Sequence, residues 1–290
     1  MIIRSFRKPI ATYGTGHRSH SRSTLGEGAM LSFSANLSML FTEVGFLDRF
    51  ASASKAGFRA VECQFPYRYE AADIAEALQR HQLALVLHNL PPGDWSGGDR
   101  GIACLPDRIG EFQDSVGRAI EYATVLGCTR VNCLAGVAPA GASYGRLHET
   151  FVGNLQYAAG ETKRAGITLL VEPLNTRDTP GFFLRTPQQA VEIIQEVGSD
   201  NLYLQFDVYH AHIMEGNVLA SLQRNLRHVA HVQIADDPGR HEPGTGRIDF
   251  RTVFHTLERA KYAGWVGCEY APSGHTEEGL EWLTAYGRHL

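Results

Sequence analysis

Four residues with oxygen-bearing side chains stand at the ends of four separate apolar segments in the second half of the chain. The segments are ITLLVEP, LYLQFDVYH, HVAHVQIAD and GWVGCEY, and the residues are Glu172, Asp207, Gln233 and Glu269. Carboxylates are rarely buried unless they are paired or bound to a metal ion. Three carboxylates and one amide oxygen suit Mg²⁺ or Mn²⁺ better than Zn²⁺, which prefers His and Cys. The sequence therefore predicts one divalent-cation site formed by these four residues.

A cation site of this kind indicates proton-transfer chemistry. A cation that contacts adjacent carbonyl and hydroxyl oxygens of a substrate acidifies the carbon-bound proton between them and stabilises the resulting enediolate. Glu172 and Glu269 would act as base and acid on opposite sides of the substrate. The hypothesis is proton transfer between neighbouring carbons of a small hydroxy-carbonyl compound. The alternative is that each residue is an ordinary polar residue at a strand end, with local hydrogen-bond partners. The occurrence of four such residues on consecutive strands disfavours this alternative.

Four further residues are predicted to bind substrate close to the predicted cation site. His88 ends the segment LVLHNLP, and His210 follows Asp207 by three positions. Asp178 and Arg240 lie in the loops EPLNTRDTPG and DDPGRHEPGTG. Arg240 is a candidate for binding a substrate carboxylate through two parallel hydrogen bonds, although it is equally read as a solvated loop charge. The ordinary alternative for each histidine is a core residue with a local hydrogen bond.

The elements that must position these residues alternate regularly along the chain. Eight strand candidates are short, apolar and bounded by Gly, Pro or charge; they are 31–37, 60–65, 84–90, 130–135, 168–174, 202–208, 229–235 and 265–270. Helix candidates lie between them at 46–56, 71–81, 109–126, 148–165, 187–197, 218–227 and 250–263, with a last one from 276 to the C-terminus.

This alternation predicts an α/β fold, a (β/α)8 or TIM barrel, in which active sites lie at the carboxyl ends of the strands. An open doubly wound sheet would need a Gly-rich phosphate loop after the first strand, and NLSMLFTEVG has none.

The chain divides into an N-terminal extension over 1–29 and one barrel domain over 30–290. The extension is rich in Ser and Gly and carries a formal charge of +4, whereas the rest of the chain is near −8. Its composition predicts disorder. It is either a transit peptide, as its Arg and Ser content allows, or an extension from an upstream start; we favour the extension because Met30 opens the first strand.

The composition disfavours a nucleic-acid-binding protein and a membrane-spanning protein. A net charge of −4 disfavours a nucleic-acid surface, and no apolar run approaches the ~20 residues that span a bilayer. The five cysteines are an odd number without a CxxC pair, which predicts reduced thiols and a cytoplasmic protein. The expected partner is a small hydroxy-oxo acid, with no nucleic acid and no membrane; a homo-oligomer remains open.

Several motifs in order resemble one known family. VEPLNTRDTPGFFL, QFDVYH, HVQIAD, PGRHEPGTGRIDF and GCEY, together with VECQFPY and LHNLPPGDW, are similar to hydroxypyruvate isomerases and 2-oxo-tetronate isomerases, which are xylose-isomerase-like barrels. The resemblance implies a metal-supported aldose–ketose type isomerisation. Its substrates would be hydroxypyruvate and 2-hydroxy-3-oxopropanoate (tartronate semialdehyde), or a four-carbon 2-oxo-tetronate.

The resemblance also implies roles for individual residues. Glu172 and Glu269 match the family's paired catalytic glutamates, and with Asp207 and Gln233 they match its metal ligands. By similarity to ketose 3-epimerases, the substrate-binding candidates His210, Arg240 and Asp178 would lie near substrate oxygens. Those epimerases usually carry His at the position of Gln233, so the chain fits the isomerase branch better.

Other functions on the same barrel stay open. A ketose 3-epimerase or an inosose-type dehydratase would also begin by removing a proton next to a carbonyl. A sugar-acid binder without turnover would not need both glutamates. A metal-dependent endonuclease for abasic DNA would need more His ligands and a basic groove, which this acidic domain does not predict.

Overall fold

A closed barrel of eight parallel strands forms the centre of the protein, in the order β1 to β8. The computed structural model describes residues 31–288 and 290, so the predicted extension over 1–29 lies outside the described residues. The strands are β1 Ser32–Asn36, β2 Ala60–Cys63, β3 Ala84–Asn89, β4 Arg130–Cys133, β5 Thr168–Val171, β6 Leu202–Asp207, β7 Val229–Ile234 and β8 Trp265–Cys268. Pairing of β1 with β8 closes the ring, which confirms the predicted TIM barrel.

Helices surround the barrel, and the longer ones bury apolar side chains against it. They are α1 Arg49–Lys55, α2 Ala71–His81, α3 Ile109–Leu126, α4 Tyr144–Arg164, α5 Pro187–Val197, α6 Val208–Glu215, α7 Val218–Asn225, α8 Phe250–Arg259, α9 Thr276–Gly279 and α10 Trp282–Ala285. Short 3-10 turns cover Phe46–Asp48, Pro106–Arg108 and Leu226–His228. The C-terminal segment, expected as one helix, forms the two short helices α9 and α10.

Helix α6 was not expected from the sequence. It begins directly after Asp207, whose carboxylate accepts the backbone N–H groups of Tyr209 and His210 and so caps the helix. The apolar segment LYLQFDVYH contains both the strand and the start of the helix, and its composition does not mark the boundary. The helix places His210 one turn beyond the end of β6, beside Asp207.

The core between barrel and helices is apolar. Phe33 of β1, for example, meets Phe254 of α8 and Trp282 of α10 edge-on, with ring centroids 5.8 and 5.5 Å apart. The five cysteines are buried free thiols, as predicted. Among the described helices, none has the length and apolar content needed to cross a lipid bilayer.

Candidate active site at the carboxyl end of the barrel

A cavity of about 320 Å³ opens where the carboxyl ends of the strands meet. This is the end of the barrel at which (β/α)8 enzymes place their active sites. The predicted site residues that line it are Glu172, Asp178, His210, Arg240 and Glu269. The aromatic side chains of Phe65 and Trp95 line it too. Five predicted site side chains from two loops, one helix and two strand ends therefore share one cavity.

A cluster of metal-ligating groups lies beside the cavity. Glu172, Asp207 and His210 each offer one ligand atom, and these atoms all lie within 4.8 Å of one another. Asp207 Oδ1 accepts the backbone N–H of Tyr209 at 2.7 Å. Asp207 Oδ2, in contrast, is buried and has no hydrogen-bond partner in the described part of the chain. Burying a carboxylate oxygen without a hydrogen-bond partner costs free energy. This atom is therefore a candidate to bind a ligand.

The hydrogen bonds of His210 fix its tautomer. The backbone N–H of Asn175 donates to His210 Nδ1 at 3.2 Å, and the Asn175 side-chain amide lies 2.7 Å from the same atom. Because a backbone N–H can only donate, Nδ1 accepts and the ring proton is on Nε2. Nε2 lies 3.6 Å from Asp207 Oδ2. In this tautomer His210 is a hydrogen-bond donor next to the carboxylates, and a role as metal ligand would require the proton to leave Nε2.

Glu172 is held by an amide chain that crosses three neighbouring strands. Its Oε2 accepts from Asn132 Nδ2 at 2.8 Å, and the same amide donates to Asn89 Oδ1 at 3.1 Å. Asn89 and Asn132 are paired in the β3–β4 register. The position of the Glu172 carboxylate is therefore set by strand register and not by a flexible loop.

Glu269 is held on both of its oxygens. Oε1 accepts from Asn36 Nδ2 at 3.0 Å and from Gln64 Nε2 at 3.1 Å, and Oε2 accepts from Arg240 Nη2 at 2.6 Å. Arg240 Nη2 also lies 3.7 Å from Asp207 Oδ2. Arg240 has a left-handed backbone with φ of 57°. The loop after β7 thus directs one guanidinium toward two of the predicted metal ligands.

Gln233 lies in the barrel with both ends of its amide engaged. Its Nε2 donates to Glu62 Oε1 at 2.8 Å, and its Oε1 accepts from Gln205 Nε2 at 2.6 Å. Gln233 is level with Asp207 in the β6–β7 register, as a shared ligand set requires. Its amide oxygen nevertheless has a protein partner, whereas Asp207 Oδ2 has none.

The carboxyl groups of this site have raised pKa values. Burial raises the pKa of Glu172 well above its usual range, and the neighbouring Glu269 and Asp207 raise it further. Burial also raises the pKa of Glu269 to about 7, against the opposing charge of Arg240. The pKa of Asp207 is raised by burial in the same way. Three buried carboxyl groups share one guanidinium, so the site holds more potential negative charge than the protein neutralises.

Of two further predicted substrate-binding residues, Asp178 lines the cavity and His88 does not. Asp178 Oδ2 accepts from Asn175 Nδ2 at 3.0 Å and from the Tyr209 hydroxyl at 2.8 Å. His88 is fully buried, and its ring meets Tyr67 edge-on outside the lining of the cavity. Side chains alternate along a strand, and Asn89, the next residue, takes the inward position. The structure therefore does not bring His88 to the other site residues.

Sequence reasoning missed the amides that orient the glutamates. Asn36, Gln64, Asn89 and Asn132 stand at the carboxyl ends of β1 to β4, or just beyond them, as the predicted residues do for β5 to β8. The rule that selected Glu172 would have found them if it had been applied to amides in the first half of the chain. Arg100, in the loop after β3, also lines the cavity and carries no strand-end signal.

The donor set fits a hard divalent cation. Asp207 offers a free buried oxygen, Glu172 offers a carboxylate beside it, and the surrounding charge is negative. Oxygen ligands of this kind suit Mg²⁺ or Mn²⁺.

Comparison with known proteins agrees with this class of fold and site. A family model described as xylose isomerase-like TIM barrel matches residues 50–286. Hydroxypyruvate isomerase of Escherichia coli K12 is 49% identical over 257 residues, which is 89% of this chain and 100% of that protein. The 2-oxo-tetronate isomerase of Cupriavidus necator is 46% identical over 254 residues, 88% of this chain and 98% of that protein.

A solved structure described as an AP endonuclease, family 2, from Brucella melitensis is also similar. It is 45% identical, has a TM-score of 0.86, and the match covers 89% of this chain and 99% of that one. The chain belongs to the hydroxypyruvate isomerase and 2-oxo-tetronate isomerase family of xylose isomerase-like barrels, and it is an isomerase-type enzyme.

Proposed function

We propose that this enzyme interconverts hydroxypyruvate and 2-hydroxy-3-oxopropanoate, or isomerises a four-carbon 2-oxo-tetronate, with Mg²⁺ or Mn²⁺. The observation that carries the proposal is the buried Asp207 Oδ2 beside Glu172, which accepts no hydrogen bond from the described residues and lies next to a cavity that also contains Glu269. The names of the relatives support the substrate class. A cavity of about 320 Å³ is at the small end of ligand pockets, as a three- or four-carbon acid requires.

The reaction moves one proton between neighbouring carbons. With hydroxypyruvate, a proton leaves the CH₂OH carbon and a proton is delivered to the former carbonyl carbon, while the hydroxyl proton passes from one oxygen to the other. Glu172 and Glu269 are the two proton carriers. The pKa of Glu172 is raised well above its usual range by burial and by the neighbouring Glu269 and Asp207, and burial raises that of Glu269 to about 7. A carboxyl group with a raised pKa can hold a proton near neutral pH, as a general acid must.

Other residues orient these carriers and the substrate. Asn132 holds Glu172, and Asn36 with Gln64 holds Glu269, so neither carboxylate has to be ordered when substrate binds. The Nε2–H group of His210 is the donor for a substrate oxygen. Leu174, Leu134 and Phe65 cover apolar parts of the cavity and exclude water from the reacting carbons.

The cation would be held by Glu172 and Asp207. When bound, a divalent cation supplies positive charge beside the substrate oxygens and lowers the pKa of the carbon-bound proton. Gln233 and Glu269 remain the other predicted ligands. In this structure their oxygens accept hydrogen bonds from Gln205 and Arg240 respectively, so those contacts would rearrange on binding.

The endonuclease name of the Brucella structure supplies a second candidate function. The residues from Met30 onward carry a net charge near −8, and phosphate binding needs basic residues along a groove. The cavity is sized for a small molecule and has three acidic side chains in its lining, Glu172, Asp178 and Glu269. Both features favour a small acid over DNA.

The direct test is a turnover comparison in one assay series. Hydroxypyruvate and 2-oxo-tetronates are offered to the metal-loaded enzyme with Mg²⁺ or Mn²⁺, and EDTA-treated enzyme is the control. We expect metal-dependent isomerisation of at least one acid, no cleavage of an abasic duplex, and no epimerisation of ketoses at a comparable rate. Cleavage of the duplex without isomerisation would overturn the proposal.

A further inference from the structure

The proposed substrates carry a carboxylate, and they must enter a cavity whose lining includes the three acidic side chains Glu172, Asp178 and Glu269. Two arginines line that cavity, Arg100 and Arg240. A substrate carboxylate next to Glu172 and Glu269 would be repelled unless a cationic group held it. One of the two arginines is therefore expected to receive it.

The charge of Arg240 is already compensated. Its Nη2 lies 2.6 Å from Glu269 Oε2 and 3.7 Å from Asp207 Oδ2. Moving this guanidinium to a substrate carboxylate would leave both buried carboxylates without their counter-charge, which is costly. Arg240 is better suited to holding Glu269 than to binding an incoming anion.

The charge of Arg100, in contrast, is not compensated by a carboxylate of the described residues. Its Nη1 donates to the backbone oxygens of Trp95 at 3.1 Å and Asp99 at 2.7 Å. Its guanidinium carbon lies 3.9 Å from the centroid of the Trp95 ring. Across residues 31–288 and 290, Arg100 forms no ion pair, and its Nε and Nη2 have no hydrogen-bond partner. One edge of the guanidinium is thus fixed and the other is open.

The loop that carries Arg100 is well anchored. Gly101, with φ of 93°, pairs with Ala135 at the end of β4, and a Cβ at Gly101 would lie 2.2 Å from the backbone oxygen of Leu134. On the other side, Asp99 Oδ2 accepts from Arg108 Nη1 at 2.7 Å. Arg100 is therefore positioned before substrate binds, which reduces the entropy lost in forming a contact.

We propose that Arg100 binds the substrate carboxylate through Nε and Nη2 and so selects 2-oxo acids over neutral ketoses. Two parallel N–H groups match the two oxygens of a carboxylate, which a lysine cannot reproduce. The other end of the substrate then points toward Glu172 and Glu269. This inference rests on the proposed function, because that function defines the reacting end of the substrate.

The test is the variant Arg100→Gln, compared with wild type in the metal-loaded enzyme. We expect KM for hydroxypyruvate to rise about tenfold to one-hundredfold, with kcat within about twofold. Arg100→Lys should recover only part of this loss. The matched control is Arg68→Gln, which removes an exposed arginine that lines a neighbouring cavity. An equal rise in KM in the control would reduce the effect to long-range charge and overturn the proposal.

Binding of pyruvate, which has the carboxylate and the ketone but cannot be isomerised in this way, separates the two proposals. Calorimetry should show Kd for pyruvate at least about tenfold weaker in Arg100→Gln. An unchanged Kd, or no pyruvate binding to wild type, overturns the role of Arg100. If pyruvate binding depends on Arg100 while wild type isomerises no acid, the proposed function fails and the carboxylate site stands.

A second variant distinguishes the two arginines. Arg240→Gln should lower kcat, because Glu269 loses its ion pair, and should change Kd for pyruvate by less than about threefold. If Arg240→Gln weakens pyruvate binding and Arg100→Gln does not, the carboxylate is bound by Arg240 and the inference is wrong.

Discussion

Two groups of buried carboxylates lie in the same barrel, and they differ in how completely the protein satisfies them. Glu62 on β2 is fully buried, and its oxygens meet Ser34 at 2.9 Å, His231 at 2.8 Å, Gln233 at 2.8 Å and Asn36 at 3.2 Å. Asp207 is also buried, but its Oδ2 accepts no hydrogen bond within the part of the chain that the structure describes. Burial alone therefore does not mark the site, whereas an unsatisfied buried carboxylate oxygen within a cluster of ligating groups does.

The titration of the two groups reflects this difference. Burial alone would raise the pKa of Glu62, but His231 and the hydrogen-bond donors around it hold that pKa below its usual value. Burial raises the pKa values of Glu172, Asp207 and Glu269, and the single Arg240 does not offset it. The ionised form of Glu62 is therefore stabilised by the protein groups around it. The carboxylates at the mouth form a site that still lacks positive charge, as a cation-binding site would.

The largest expected contrast is in catalysis. Glu172→Gln and Glu269→Gln should each lower kcat by about 10²- to 10⁴-fold, because each removes a proton carrier. The far-ultraviolet circular dichroism of both variants should match that of wild type. Exposed Glu121 on α3 supplies the control, and Glu121→Gln should keep full activity. Normal turnover in either site variant would remove that glutamate from the mechanism.

The next contrast is in stability, measured in urea with EDTA present. Glu62→Gln should lower the free energy of unfolding by about 3 kcal/mol, because an amide has only one acceptor oxygen for the buried groups that now contact the two carboxylate oxygens. Asp207→Asn should change it by less than about 1 kcal/mol, since Asn still caps α6 and a repelling charge is removed. Equal losses in the two variants would show that the mouth carboxylates are as well satisfied as Glu62.

The smallest effect is a pH dependence of the metal-free protein. The folded pKa of Glu269 is about 7, above the 4.5 of a free glutamate side chain, so the folded state binds more protons between these two values. Its contribution to stability is present below about pH 4.5 and is lost as pH rises toward 7. For Glu62 the sign is opposite, because its pKa is lowered and its contribution is lost in acid.

Between pH 5 and pH 7.5 in EDTA, the free energy of unfolding of wild type should therefore fall by about 2 kcal/mol more than that of Glu269→Gln. Added Mn²⁺ should flatten this slope, since a bound cation favours the ionised carboxylate. A slope that is the same in wild type and Glu269→Gln would assign it to another group.

The barrel was predictable because its strands are short apolar runs separated by helices with caps such as Gly127 and Gly198. The location of Glu172 and Glu269 followed from the rule that active sites lie at strand carboxyl ends. The rotation of each strand was less predictable, because parallel strands are apolar on both faces. This is why His88 was selected while Asn89 lines the cavity.

The Glu62 network could not be predicted because its parts come from distant strands. Glu62 sits in the run AVECQF, which gives no sign that its partners are Ser34, His231 and Gln233. The space for its carboxylate comes from Gly267 of β8, where a Cβ would lie 2.4 Å from the Glu62 oxygens. Only the closed ring brings that glycine next to β2's glutamate.

The central claim is that the unsatisfied carboxylates hold a divalent cation, and anomalous scattering from crystals soaked in Mn²⁺ tests it most directly. We expect one strong anomalous peak about 2 Å from Asp207 Oδ2 and from a Glu172 carboxylate oxygen, and its loss in crystals of Asp207→Asn. No peak between these two residues, or a peak held by other residues, would contradict the account.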